Sequence, residues 1–183
     1  MATMGAILAR RESRYETRLR LQEEYRRPVV VFTLNIPGTE KDSPFYEGVH
    51  KSGETAFTAA LQERGVEILH SRVEYGACGR EVFFVISSRD ARLLKEICFS
   101  IEENHPLGRI FDLDVYDEEG NPYHRSDIGQ DPRRCFLCDA PAAECARSRR
   151  HSLEELSRYI DSRIENFFSK TLPLRQKRAG KEG

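Results

Sequence analysis

The chain has 183 residues, of which 39% are hydrophobic and 32% charged, and its formal net charge is −1. That length suits one domain with a real core, and the composition is that of an ordinary globular protein rather than a disordered chain. The near-zero charge argues against coating nucleic acid by bulk electrostatics, and no apolar run approaches the roughly 20 residues that span a bilayer.

Residues 6–26 (AILARRESRYETRLRLQEEYR) read as a helix ended by Pro28. Leu8, Tyr15 and Leu19 sketch a narrow apolar stripe, while Arg10, Arg14 and Arg18 recur every four residues. This start is too charged, and its apolar stretch too short, for a signal peptide, so a cytoplasmic chain is expected. PVVVFTLNIPG predicts a buried strand over 29–36, closed by Pro37-Gly38. Ser43-Pro44 predicts a helix start, with Ser43 as cap, with Phe45, Val49, Phe57, Ala60 and Leu61 on one face, and with Gly65 as the stop. VEILHSRV (66–73) and EVFFVISS (81–88) are strand-like runs joined as a hairpin through Gly76 and Gly79. Ser88 is expected to cap a helix that turns Leu94, Ile97, Cys98 and Ile101 inward and ends before His105-Pro106. RIFDLDVYD (109–117) is the fourth strand.

The order from 29 to 117 is thus β-α-β-β-α-β. The fold class expected is α+β, a ferredoxin-like antiparallel sheet flanked by an N-terminal helix and a C-terminal helix. In that arrangement two helices cover one face and the other is free for a site. Beyond the turn at Glu118–Asn121 the chain is irregular through a Cys-rich segment, 133–151. It then forms a helix, SLEELSRYIDSRIENFFS, with Leu153, Leu156, Ile160, Ile164 and Phe167 on one face. One domain is expected over 1–170, followed by a mobile basic tail over 171–183.

Alternation along the fourth strand puts Phe111, Leu113 and Val115 on one face and Asp112 and Asp114 on the other, with the two acidic α-carbons roughly 6.6–6.8 Å apart. Two hard carboxylates that close suit Mg2+, which polyphosphate transfer needs. An edge strand with an acidic solvent face gives the same pattern. Gly108 and Arg109, just upstream, are of the types that let a backbone approach a phosphate and pair with its oxygens.

Five cysteines, an odd number, fit a reducing compartment. Cys135-x2-Cys138-x6-Cys145-x5-His151 makes a complete tetrahedral set for a structural Zn2+. The other reading is free thiols plus a helix-core Cys145. Cys78 is assigned to a turn and Cys98 to a helix core.

HPLGRIFDLDV, RRCFLC and AAECARSRRH together, with PGTEKDS (37–43) as a weaker match, resemble the apo-citrate lyase phosphoribosyl-dephospho-CoA transferases, also called citrate lyase holo-acyl-carrier-protein synthases. The likeness runs from about residue 8 to residue 168. It implies a nucleotidyltransferase-type enzyme that moves phosphoribosyl-dephospho-CoA from triphosphoribosyl-dephospho-CoA to a serine of the citrate lyase acyl carrier protein, releasing pyrophosphate. Related transferases of the malonate decarboxylase system are thought to use a D-h-D pair, which Asp112 and Asp114 match. That carrier is a further option, against which RRCFLC speaks.

On this reading Asp112 and Asp114 are catalytic and hold Mg2+. Gly108, Arg109, His105, Arg125, Arg133, Arg134 and Lys41 are candidates to bind the donor or, for His105, to take the serine proton. Residues 133–150 carry five arginines against two acids, and the tail from Lys170 five basic residues against one acid, so either suits docking of an acidic carrier. No nucleic acid or membrane partner is expected. The alternative from another class is a zinc-stabilised binding module for nucleic acid or protein, without catalysis, built on Cys135, Cys138, Cys145, His151 and the nearby arginines.

Overall fold

The computed structural model of the chain describes residues 4–37, 44–76 and 79–171. The expected Ser43 cap, Gly38, Lys41, Cys78 and almost all of the 171–183 tail lie outside the described residues.

The most buried stretch is VVVFTL, and it forms β1, Val29–Leu34, with every residue buried. A run that is apolar at consecutive positions has no polar face to give to water, so it takes the middle of a sheet. β1 pairs antiparallel with β3, Gly79–Ile86, on one side and with β4, Phe111–Tyr116, on the other. β2, Ile68–Gly76, and a two-residue β5, Pro122–Tyr123, complete a five-stranded antiparallel sheet in the order β2-β3-β1-β4-β5. With five α-helices among the described residues, the class is α+β.

One face of the sheet carries Val30, Phe32, Phe84, Phe111 and Leu113. It packs under α2 (Pro44–Glu63), α3 (Ala91–Asn104) and α5 (Leu153–Thr171), which contribute Phe57, Leu61, Leu94, Cys98, Ile160 and Ile164. Gly65 ends α2 as expected, in a left-handed conformation at φ 65° that suits glycine. The cap of α3 is Asp90, which accepts from Leu93 N at 2.9 Å, and not Ser88. Ser88 instead accepts from Asp90 N, holding the cap itself. Phe45, expected on the core face, is exposed.

The second face is not left open. α1, Met4–Tyr25, lies across β1 and β3, with Leu21 and Tyr25 against Val29, Val31, Phe83 and Val85. It does so with the opposite side from the one its apolar stripe suggested: Leu8 and Tyr15 are exposed, while Arg10, Thr17, Arg18 and Gln22 are buried. The reason is on the partner strands. Glu81 is fully buried and paired with Arg10 and Arg14, and Glu74 takes Arg10 at 2.9 Å and the Thr17 hydroxyl at 3.0 Å. Carboxylates under a helix demand donors from it, and that demand outweighs a weak apolar stripe. α1 reaches the end of β4 as well, where Arg18 lies over Tyr116, and what stays open on this face is the start of β4, where Asp112 lines a cleft.

No helix among the described residues is long and apolar enough to cross a membrane.

Candidate active site

β4 has β1 on one side, but on the other only its last two residues meet β5. Its free edge is closed by side chains instead. Glu102 of α3 accepts from Leu113 N at 3.0 Å, and Lys95 Nζ donates to Leu113 O at 3.2 Å. Arg133 Nη1 donates to Phe111 O at 3.0 Å. This spends the backbone groups that would otherwise recruit another strand.

Asp112 and Asp114 share the face opposite Phe111, Leu113 and Val115, in register with Thr33 and Val31 of β1. Arg133 reaches round the edge: its Nη2 lies 3.0 Å from Asp112 Oδ1 and 2.5 Å from Glu102 Oε1. Thr33 Oγ1 stands 3.5 Å from the other Asp112 oxygen. The Asp114 side chain makes no hydrogen bond or ion pair among the described residues. Burial, then the neighbouring charge of Asp112, raises its pKa to about 6. A crowded pair of carboxylates, one of them lacking any donor, is a set that a hard divalent cation fits.

Asp112 and Arg133 open into a cleft of about 900 Å3 between the ends of β1 and β4 and the Cys-rich segment. Asn35 and Arg149 also line it, as do the apolar side chains of Phe136, Leu153 and Leu156. The apolar face of α5 is therefore divided. Ile160 and Ile164 enter the core, while Leu153, 63% exposed, serves the cleft.

The Cys-rich segment is ordered by a tight reversal. Cys135 N donates to Ala140 O and Ala142 N to Arg133 O, both at 2.8 Å, and Arg134 bridges Pro141. A short helix, α4 (Ala142–Ser148), which the sequence did not suggest, carries Cys145. The four donor atoms of Cys135, Cys138, Cys145 and His151 lie within 4.8 Å of one another. Cys138 Sγ is 3.4 Å from Cys145 Sγ and 3.3 Å from His151 Nε2. These spacings exceed a disulfide bond and approach the edges of a tetrahedron with a metal–sulfur radius of about 2.3 Å. The hydrogen bond from His151 lowers the Cys138 thiol to about 6, whereas burial pushes Cys145 up to about 11. The cluster can thus bind a metal ion.

The remaining sequence candidates fall into three groups. Arg109 Nη2 donates to Arg134 O at 2.6 Å and Cys135 O at 3.1 Å, with its guanidinium over Phe136, so it fastens the Cys-rich segment to the turn before β4. Arg125 is held by Glu102 at 2.6 Å and Glu103 at 2.7 Å and lies over Phe99, while Arg134 is exposed. Gly108 and His105 are not brought to the acids. A Cβ on Gly108 would stand 2.3 Å from Ile101 O and 2.6 Å from Glu102 O, so glycine serves close packing on the last turn of α3 rather than phosphate approach. His105 stacks on Phe111, whose side chain points away from Asp112, and its Nε2 faces Ser52 at 3.4 Å. Burial lowers its pKa. Arg149 was not among the sequence candidates. Its signal would have been hard to find among the three arginines of RSRRH, since only the cleft separates it from its neighbours.

The family model for apo-citrate lyase phosphoribosyl-dephospho-CoA transferase matches residues 2–167. The chain belongs to that family. It is 37% identical over 158 residues to a probable apo-citrate lyase phosphoribosyl-dephospho-CoA transferase of Vibrio cholerae serotype O1 (strain M66-2), covering 84% of this chain and 89% of that relative. It is also 37% identical over 139 residues to the apo-citrate lyase phosphoribosyl-dephospho-CoA transferase of Escherichia coli O7:K1 (strain IAI39 / ExPEC), covering 76% of this chain and 75% of that relative. As a member of the apo-citrate lyase phosphoribosyl-dephospho-CoA transferase family, the chain is a transferase enzyme. The family match spans both the Asp112–Asp114 strand and the cysteine cluster.

Proposed function

We propose that this transferase moves the phosphoribosyl-dephospho-CoA group from triphosphoribosyl-dephospho-CoA to a serine of the citrate lyase acyl carrier protein. The observation that carries the reading is the Asp112–Asp114 pair on one face of β4, with Asp112 opening into the cleft, in a chain of this family. The serine Oγ attacks the α-phosphorus, a new P–O bond forms, the bond to pyrophosphate breaks, and pyrophosphate leaves. Asp114 accepts the serine proton, as the carboxylate of the pair that no protein donor holds. Arg133 orients Asp112 from the edge of the strand. Asp112 and Asp114 would hold Mg2+, which when bound supplies charge neutralisation at the polyphosphate. Phe136, Leu153 and Leu156 offer an apolar wall for the base or pantetheine arm of the donor. Exposed Arg134 and Arg147 present a basic rim to an acidic carrier.

We read β1 through β4 with α2 and α3 as a ferredoxin-like unit, which the antiparallel order β2-β3-β1-β4 supports, within a single transferase domain over 1–170 acting in the cytoplasm. Cys135, Cys138, Cys145 and His151 would hold Zn2+ as a closed four-ligand site that ties the segment together and leaves no position for substrate. The cluster is also what favours a zinc-stabilised binding module. Three of its members line the same cleft as Asp112, however, so it supports an enzyme wall equally well. Purified protein is expected to carry stoichiometric zinc by elemental analysis. Stripping it with a strong chelator should lower Tm by roughly 10 °C, about 3 kcal/mol for a chain of this size. Metal-free protein with an unchanged Tm would remove zinc from the account.

The activity is tested by mass spectrometry of the apo carrier protein after incubation with this enzyme, Mg2+ and the triphosphoribosyl donor. A phosphoribosyl-dephospho-CoA adduct on serine is expected. An unmodified carrier would overturn the reading.

A further inference from the structure

The arginines around the cleft differ in what already holds them. Arg133 is committed to Glu102, Asp112 and Phe111 O, and Arg109 to the carbonyls of Arg134 and Cys135. Arg149 lines the same cleft and is exposed; its backbone N–H donates to Cys145 O, but its side chain makes no hydrogen bond or ion pair among the described residues. Its backbone is also unusual. Arg149 is the C-cap of α4 at φ 48° and ψ 40°, one of two non-glycine residues with positive φ among the described residues. Glycine is the ordinary occupant of that position because a Cβ there crowds the following carbonyl. The chain thus keeps a long cationic side chain where local energetics favour none, at a position lining the cavity that Asp112 also lines. Strain retained at a cavity wall is a pointer to use.

We infer that Arg149 binds the leaving pyrophosphate of the donor, forming the anion subsite of the cleft. This rests on the transferase reading above. Breaking the bond to pyrophosphate moves negative charge onto the departing oxygens, in a cleft whose own acid, Asp112, repels them. The cation that offsets this charge must not be spent on a protein carboxylate. Arg133 is so spent. The apolar lining residues Phe136, Leu153 and Leu156 are chemically wrong for phosphates, which leaves the polyphosphate to Arg149, the lining arginine that no protein carboxylate holds.

The test uses Arg149→Gly, which relaxes the backbone, and Arg149→Lys, which keeps the charge. Calorimetric titration with Mg2+ and inorganic pyrophosphate at fixed ionic strength reads the subsite without turnover. Arg149→Gly should weaken pyrophosphate binding about ten- to a hundredfold, as expected for one charge-assisted contact, with Tm no lower than wild type. Arg149→Lys should recover part of the affinity, and kcat/KM for the donor should follow the same order. Wild-type pyrophosphate affinity in Arg149→Gly would overturn the assignment. So would a weakened donor KM with unchanged pyrophosphate affinity, because that places the residue at the nucleoside half. Inactivity of the wild-type enzyme toward the carrier would sink the transferase reading instead, with the pyrophosphate titration still deciding the subsite.

Discussion

Asp114→Asn is expected to lower transfer by about 10²–10⁴-fold while making the fold more stable at neutral pH. The activity loss follows from removing a proton acceptor and an oxygen ligand at once. The gain in stability has a separate cause. A carboxyl whose folded pKa of about 6 lies above its ordinary 3.8 binds its proton more tightly in the fold than in the unfolded chain. Its ionisation therefore costs nothing at acid pH and turns against the fold as pH rises through about 6. At pH 7 the cost is on the order of 1–3 kcal/mol, which a neutral amide relieves. Asp112→Asn should lose transfer on a similar scale. Chemical denaturation and donor-saturated kinetics on both variants check this. Full activity in either variant, or an Asp114→Asn protein markedly less stable than wild type, would show that the pair is structural.

Glu102→Ala is expected to cost about 3–5 kcal/mol, a fall in Tm of roughly 10 °C or more. Glu102 is 1% exposed and serves three donors at once: Leu113 N, Arg125 and Arg133. Removing it leaves the Leu113 N–H without an acceptor and takes from Arg125 and from Arg133 the buried one of the two carboxylates each holds, which costs far more than the pairs contribute when intact. It also frees Arg133 from one of its anchors beside Asp112, so transfer should decline in the fraction that stays folded. Glu102→Gln, which retains an acceptor for Leu113 N, should fall between. A Glu102→Ala protein within 1 kcal/mol of wild type would mean that the edge of β4 needs no such clasp.

Glu102 is tied through Arg133 to Asp112 along the part of β4 that β5 does not cover. An edge exposes backbone groups that attract other chains, and here Lys95, Glu102 and Arg133 occupy them. The clasp that closes the strand also positions the catalytic candidate Asp112, so stability and site geometry share one network.

Local periodicity carried a good deal of this. Alternation in FDLDVY put the two aspartates on one face, and the spacing of Cys135, Cys138, Cys145 and His151 named a cluster that the fold brings within 4.8 Å. The central strand and the three helices over it were equally plain, because an apolar face repeats at the period of its own element. α4 and β5 escaped because neither is long enough to show a period, and both depend on neighbours for their bonds.

Only the tertiary structure decided which side of α1 goes inward, because buried Glu81 and Glu74 on distant strands choose the arginine side over Leu8 and Tyr15. It likewise decided that His105 and Gly108, though adjacent to the acids in the chain, face elsewhere, and that Arg125 and Arg133 are held by Glu102 while Arg149 stands in the cleft. The physical reason is common to all of these. A side chain's type and spacing are local properties, readable in order along the chain, whereas its partner is whatever charge or cavity the folded backbone brings beside it.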